Sequence, residues 1–146
     1  MRFLCDEMLV RLARLLRAAG YDAAMATAGT PDDKLLRIAH DEQRLLLTRD
    51  KRLSAQPGAM LVGGSSAVDE ARQLSKSLSL DWSLAPFTRC VTDNTVLREA
   101  TTKEIASMPA SAQAKDGPFR ACPVCRRLYW PGSHVKRMKD RLAGLG

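Results

Sequence analysis

Apolar and polar positions alternate along the first half of the chain in a way that predicts short strands separated by amphipathic helices. Leu45-Leu46-Leu47-Thr48 is an apolar run closed by a β-branched residue and bounded by Arg44 and by Arg49-Asp50. It reads as a strand buried on both faces of a parallel sheet, with Asp50 at its carboxyl end. Arg2-Phe3-Leu4-Cys5 predicts an earlier strand, with Asp6 and Glu7 at its end. Met8, Leu12, Leu15, Leu16 and Ala19 then recur at helical spacing, with Arg11, Arg14 and Arg17 assigned to the opposite face and Gly20 at the helix end. Tyr21–Ala26 is poor in β-branched residues and reads as a strand from its place between two helices. Thr30-Pro31-Asp32-Asp33 has the order of a helix start, with threonine as N-cap, proline at the first helical position and an acid three residues after the threonine. Leu35, Leu36, Ile38 and Ala39 form the apolar face that follows.

Lys51-Arg52-Leu53 reads as a short connection and Ala59–Val62 as a fourth strand. Gly63-Gly64-Ser65-Ser66 then leads into a helix that carries Val68, Ala71, Leu74 and Leu78 on one face, with Ser66 and Asp69 at capping-box spacing. Strand alternating with helix predicts an α/β unit over residues 1–83, a parallel sheet flanked by helices. Small residues before a helix amino terminus can cradle a phosphate, though the same residues build a plain cap.

The pattern changes after Pro86. Residues 81–89 read as a linker, and residues 95–118, rich in Thr, Ala and Ser, as a helix with loose flanks. A final helix starts after Ser133 as N-cap, with His134 in its first turn. This second module, residues 87–146, lacks an evident core. Cys122-Pro123-Val124-Cys125 is a clean Cys-x-x-Cys knuckle, and Cys90-Val91-Thr92-Asp93 is the first half of a zinc ribbon with an aspartate at its fourth position. A module this small needs its metal to fold. Cys5, between apolar neighbours on a strand, reads as a core residue.

Composition narrows the setting. No apolar run approaches the roughly 18 residues of a membrane span, and Asp6 interrupts what would be the apolar part of a signal peptide, so a cytoplasmic protein with reduced cysteines and no membrane partner is expected. The net charge of +7 is uneven: residues 1–86 carry 12 Lys/Arg and 11 Asp/Glu, residues 87–146 carry 11 and 5. The basic half is the expected footprint for a polyanion. Arg126, Arg127, Lys136, Arg137 and Lys139, interleaved with Tyr129 and Trp130, suit single-stranded RNA, to which phosphate contacts and base stacking both contribute. Trp130 is assigned to the ribbon's own small core.

The acids carry the chemistry. Asp6, Asp32 or Asp33, and Asp50 arrive at the carboxyl edge of the sheet from three connections, the edge where open α/β sheets bind ligands. Each also has a plain role as a helix cap. Carboxylates brought together without bases repel one another, and a hard divalent cation such as Mg²⁺ or Mn²⁺ relieves the repulsion. Such an edge suits phosphodiester hydrolysis.

Five ordered blocks carry a resemblance. Phe3-Leu4-Cys5-Asp6-Glu7-Met8-Leu9 with Leu12–Arg17 and Gly20-Tyr21-Asp22, then Asp32–Ala39, then Leu46–Asp50, then Cys122–Cys125, then Tyr129–His134 with Arg137-Met138 together resemble the PIN-like RNase domain found at the carboxy terminus of mut-seven exonucleases and as a stand-alone prokaryotic protein. The resemblance implies a PIN-like sheet followed by a zinc ribbon, and a Mg²⁺- or Mn²⁺-dependent ribonuclease in which Asp6, Asp32 and Asp50 hold the metal and Asp33 substitutes or helps. The fourth acid often present in PIN nucleases has no evident counterpart here. In that family the first ribbon knuckle is also Cys-x-x-Cys, so Asp93 stands where a cysteine belongs. Three outcomes are open: Asp93 ligates zinc through oxygen, His134 takes the place, or the site holds no metal. Besides the ribonuclease, two readings remain, a nucleic-acid-binding module with vestigial acids and, more remotely, a receiver-like phospho-acceptor domain lacking its downstream lysine.

Overall fold

A computed structural model describes residues 1–146. The first half forms β1 (Arg2–Cys5), α1 (Val10–Ala18), β2 (Asp22–Met25), α2 (Asp32–Asp41), β3 (Leu45–Thr48), α3 (Lys51–Ser54), β4 (Ala59–Leu61) and α4 (Ala67–Leu78). The strands make one parallel sheet in the order β2-β1-β3-β4. Side chains on the strands leave for opposite faces. Phe3, Cys5 and Leu47 join Leu12, Leu16, Ala71 and Leu74 on one side, while Leu4 and Leu46 meet Leu35, Ala39 and Leu53 on the other. Each large aliphatic side chain so buried contributes about 1.5–3 kcal/mol. The expected α/β sheet flanked by helices is therefore what forms.

Several local expectations need correction. Met8 is exposed and Leu9 takes its place in the core, so the apolar stripe of α1 starts one residue later than its spacing implied. Arg17 is not on the solvent face: it is 5% exposed, and its guanidinium donates to the carbonyls of Ala23, Val91 and Thr92. A long stem can cross apolar packing when its charged head finds carbonyls at the far side. Thr30 does not cap α2; its hydroxyl turns back to the Thr27 carbonyl, and Pro31 is the N-cap residue. Residues 51–54 are a one-turn helix rather than a plain connection. Ser66 does cap α4, accepting from Asp69 N–H at 3.2 Å.

Residues 81–89 form no free linker. Trp82 is 2% exposed with its indole N–H on Ser75 Oγ, Phe87 is buried, and the N–H groups of Ala85 and Phe87 donate to the carbonyls of Ala19 and Ala18. A side chain at Gly20, which has φ +101°, would meet the Ala85 carbonyl at 2.5 Å, so this position is closed to anything but glycine.

The second half folds as β5 (Arg98–Glu99), α5 (Thr102–Ala106), α6 (Ala110–Gln113), β6 (Arg120–Ala121), β7 (Leu128–Tyr129) and α7 (Ser133–Ala143). The expected single helix over 95–118 is replaced by a strand and two short helices, the first closed by a capping box between Thr101 and Glu104. The strands pair antiparallel in the order β5-β6-β7. The N-cap of α7 is Gly132, one residue before the expected Ser133. This half packs on the α1/α4 side: Cys90, Leu97, Cys122, Tyr129, Leu142 and Leu145 belong to the same hydrophobic core as Phe3 and Leu12.

Polar contacts complete the junction. Asn94 receives the N–H of Ala23 and donates to Asp22 Oδ1 at 2.7 Å, covering part of edge strand β2. Asp22 also takes Arg44 at 2.6 Å and Arg2 at 3.3 Å. Burial pushes the Asp22 carboxyl up, but hydrogen bonds from Arg44 and Asn94 outweigh it and leave the pKa at about 2.

Candidate active site and metal centre

At the carboxyl edge of the sheet, one hydroxyl organises two of the expected acids. Thr48 is fully buried at the end of β3; its Oγ1 donates to Asp6 Oδ2 at 2.7 Å and accepts the Asp50 N–H at 3.0 Å. The other oxygen of Asp6 accepts the Glu7 N–H. Asp6 does not cap α1, which begins at Val10 without any side-chain cap. Asp50 does cap: its Oδ1 accepts from the N–H groups of Arg52 and Leu53 at the start of α3. Asp32 and Asp33 lie in the first turn of α2 and face Asp50 across a cleft of about 390 Å³ that Arg52 also lines. The edge thus holds all four expected acids: Thr48 ties the Asp6 carboxylate to the Asp50 backbone, and Asp50 lines one cleft with Asp32 and Asp33. They are not drawn into one tight cluster of the kind found in the second half. Gly63 and Gly64 are not free to cradle a phosphate: the Gly63 N–H is spent on Gln73, and the Asp69 side chain packs against Gly64.

Glu70 escaped the sequence reading. Its side chain is 8% exposed, Oε2 has no hydrogen-bond partner, and Arg49 stands 3.9 Å away. Burial raises its pKa, only partly countered by Arg49. It is near enough to add to the burial that lifts the Cys5 thiol to about 12. The signal was its spacing, four residues before Leu74, on the inward face of α4. Thr48 was equally legible as a polar residue closing an apolar strand.

The second half closes a different site. Cys90, Asp93, Cys122 and Cys125 place one ligand atom each within 4.8 Å of one another. Cys90 Sγ and Cys125 Sγ are 3.6 Å apart, and Cys122 Sγ is 3.4 Å and 3.5 Å from the two Asp93 oxygens. A tetrahedral zinc with sulfur at 2.3 Å and oxygen near 2.1 Å has edges of about 3.8 Å and about 3.6 Å. The cluster therefore fits such an ion, and three soft thiolates with one carboxylate suit zinc better than magnesium.

The two knuckles are built alike. In the first, Asn94 N–H donates to the Cys90 carbonyl at 2.9 Å and Cys90 N–H to Thr95; in the second, Arg126 N–H donates to the Cys122 carbonyl at 3.0 Å and Cys122 N–H to Arg127. Asn94 and Arg126 both take positive φ, +72° and +63°. Asp93 thus occupies the place of Cys125 in the same turn, and His134, at the start of α7, is not in the cluster. Asp93, and not His134, therefore stands with the three cysteines. Tyr129 donates its hydroxyl to Cys90 Sγ at 3.3 Å while accepting the Val91 N–H, which fixes the direction of the Cys90 sulfur. Burial and the Cys90 contact raise the Tyr129 pKa, keeping it a donor.

Around this centre the basic residues Arg126, Arg127, Lys136, Arg137 and Lys139 are all exposed. Tyr129 is buried, but Trp130 is only half-buried, against the expectation that it forms the ribbon core. Trp82, assigned to a linker, fills the core instead. No helix is long and apolar enough to cross a membrane.

The family model described as the Mut7-C RNAse domain matches residues 1–142. An exonuclease mut-7 homolog from Homo sapiens is 37% identical over 83 residues, covering 53% of this chain and 9% of that protein, so the chain spans about a tenth of the length of this relative. No solved structure matches. The match over nearly the whole chain, running through the acid edge and the cysteine knuckles alike, supports a nuclease acting on nucleic acid, and this chain belongs to the Mut7-C RNAse domain family.

Proposed function

We propose that the chain is a metal-dependent ribonuclease whose acid edge hydrolyses RNA phosphodiesters and whose basic second half holds the RNA. The observation that carries this reading is the buried Thr48 hydroxyl, which donates to the Asp6 carboxylate and accepts the Asp50 backbone N–H at the ligand-binding edge of a parallel sheet. A buried hydroxyl spent on orienting a carboxylate is what a metal ligand's second shell needs and what a helix cap does not. Asp6, Asp50 and Asp32 supply hard oxygen donors suited to Mg²⁺ or Mn²⁺, with Asp33 beside Asp32. When bound, such an ion activates water and stabilises the oxygen that leaves phosphorus. The chain's own part is to hold that ion through Asp6 and Asp50, whose places Thr48 fixes, and to set Asp32 and Asp33 across the cleft. Arg52 lines the same cleft, and in this reading it meets a phosphate oxygen. In the hydrolysis, water oxygen bonds to phosphorus, the phosphorus–oxygen bond to the next nucleotide breaks, and the departing oxygen takes a proton.

Residues 87–146 act in this reading as a zinc ribbon held by Cys90, Asp93, Cys122 and Cys125. The separation of the acids favours one second reading, an RNA-binding module without catalysis. Cleavage of single-stranded RNA in Mn²⁺ decides between them. Wild type should cleave and Asp50→Asn should not, with both binding RNA. Equal cleavage by the two proteins sinks the acid-edge site, and no cleavage by either leaves the binding module.

A further inference from the structure

Three hollows adjoin along α7. One of about 260 Å³ is lined by Phe87, Tyr129, Trp130 and Met138, with Arg127 and His134 among its polar residues. A second, about 120 Å³, lies between His134, Arg137, Met138 and Arg141. The third, about 340 Å³, joins Arg141 to Arg11 and Arg14 of α1 beside Ser66 at the start of α4. Met138 lines all three, and His134 and Arg141 each line two, so the hollows follow one another along α7 and are treated together as a groove. Residues 134, 137, 138 and 141 share one helix face, which spans about 10 Å.

We propose that this groove is the track of a single RNA strand, with an unpaired base lodged against Tyr129 and Trp130 and the phosphates that follow carried by Arg137, Arg141, Arg11 and Arg14. The proposal rests on the ribonuclease reading and adds to it a binding surface that includes the nuclease half. The charges select an anion. Arg2, Arg44, Arg89 and Arg98 are all tied to carboxylates within the fold, whereas Arg11, Arg14, Arg137 and Arg141 are exposed and pair with none. The aromatic end selects a base. The indole N–H of Trp82 is satisfied by Ser75, but that of half-buried Trp130 has no protein partner. Gly132 keeps the indole in place, since a Cβ there would stand 2.8 Å from Trp130 Nε1. A hollow of this size lies below the roughly 300–1,000 Å³ of sites for larger organic ligands and suits one stacked ring with a cationic rim. The groove also leads to the chemistry. Arg11 lies in the first turn of α1, directly after the loop that carries Asp6, and the start of α4 follows the carboxyl end of β4. Lys136, Lys139 and Arg126, expected from sequence to bind RNA, do not line it.

The test is binding of a labelled uridine oligonucleotide to the full chain, made in the Asp50→Asn background so that the RNA survives. Arg11→Ala with Arg14→Ala should weaken binding about tenfold or more and lower the slope of log affinity against log salt by about 1.4, the value for two phosphate contacts on a single strand. Lys136→Ala with Lys139→Ala removes the same charge from outside the groove and should cost less than threefold. Saturating RNA should quench Trp130 fluorescence in a Trp82→Phe protein. Trp130→Leu should weaken binding about tenfold, with Trp130→Phe recovering most of it as the control against misfolding. Equal losses from the two charge pairs, an unquenched Trp130, or equally tight binding of a polyglutamate peptide would each overturn the groove. Cleavage in the Asp50 wild-type background separates the two proposals. A protein that binds along the groove without cutting keeps the track and loses the nuclease. One that cuts with Arg11 and Arg14 replaced at unchanged KM loses the track and keeps the nuclease.

Discussion

The acid edge and the cysteine cluster are both sets of four candidate ligands brought from distant stretches of chain, and they are prepared differently. In the cluster, each pair of ligands shares one tight turn, and its backbone hydrogen bonds hold the ligand atoms at contact distance. At the edge, Asp6, Asp32/Asp33 and Asp50 come from separate connections, and each acid is held by its own loop or helix start. Two tight turns of fixed backbone close three sulfurs and one carboxylate into a compact donor set, while the four carboxylates of the edge, held by separate loops and helix starts, stay apart. On the proposed reading, the difference is that between a metal that would complete a fold, with every position filled by protein, and one that would leave room for water and substrate. Removing the first should therefore cost stability, and removing the second should cost only activity.

The largest effect expected is on the cluster. Purified chain should carry close to one zinc, and stripping it should lower the melting temperature of the whole chain, because Cys90, Cys122 and Tyr129 share one core with α1 and β1. Cys122→Ser should abolish zinc retention, whereas Asp93→Cys should slow its loss to a chelator. Metal-free protein that melts like the purified protein would remove the contrast between the sites.

At the edge, Asp50→Asn should lower cleavage at least about 100-fold, and Thr48→Val, which strips Asp6 of its oriented hydrogen bond, about tenfold. The melting temperature should stay within a few degrees for Asp50→Asn, since asparagine still caps α3. Asp33→Asn should lose less than Asp32→Asn if Asp33 is only a helper. Equal cleavage by wild type and Asp50→Asn would reduce the edge to a set of caps.

How much of this was legible follows a physical rule. The strands and their carboxyl-end acids were visible because buried parallel strands leave continuous apolar runs, as Leu45–Thr48 does. The Cys-x-x-Cys turn was visible because the metal fixes its spacing. What was hidden depended on partners far along the chain. Arg17 looks like surface on its helix and is buried only because the carbonyls of Val91 and Thr92 meet it. Trp82 looks like linker because the end of α1 that receives Ala85 and Phe87 cannot be seen from residues 81–89. Asp22 reads as an ordinary residue of a weak strand, yet it anchors Arg44, Arg2 and Asn94. Trp130 stays half-buried because the second half does not stand alone: it shares the core of the first half and has no need to bury every large side chain of its own.

Asp22 gives a contrast of intermediate size. Asp22→Ala leaves Arg44, whose side chain is 8% exposed, with only Glu42 and the Phe3 carbonyl, and should cost about 2 kcal/mol, below the 3–5 kcal/mol of a fully buried broken pair. The carboxyl's pKa is depressed on folding, from 3.8 to about 2. Its contribution is thus complete above about pH 4 and disappears as pH falls through about 2. Denaturant titrations of wild type and variant should converge across that window, and a difference that persists below pH 2 would assign the loss to packing.

The smallest expected change in stability, that of Glu70→Gln, sharpens the comparison most because the accompanying change in cleavage depends on the role of the acid. Glu70 belongs to the edge half but lies buried with Oε2 unpartnered, and Arg49 is at 3.9 Å. Its pKa is raised, by burial first and in spite of Arg49. A carboxyl whose pKa rises on folding favours the folded state fully below its unfolded pKa, near 4.5, and loses that contribution as pH climbs through the folded value. At neutral pH the charge is therefore a cost, and glutamine, which fills the same space without it, should raise stability by a few tenths of a kcal/mol to about 1 kcal/mol. At pH 4 the gain should vanish. If Glu70 serves only as a buried neighbour of the edge, cleavage should be unchanged while stability rises. If it is the acid that completes the metal's oxygen ligands, cleavage should fall about tenfold or more despite the gain, and Mn²⁺ should be required at higher concentration. A variant less stable than wild type at pH 7 would mean that the Arg49 pairing outweighs burial, and the edge would then resemble the cluster, with its charges already satisfied by protein.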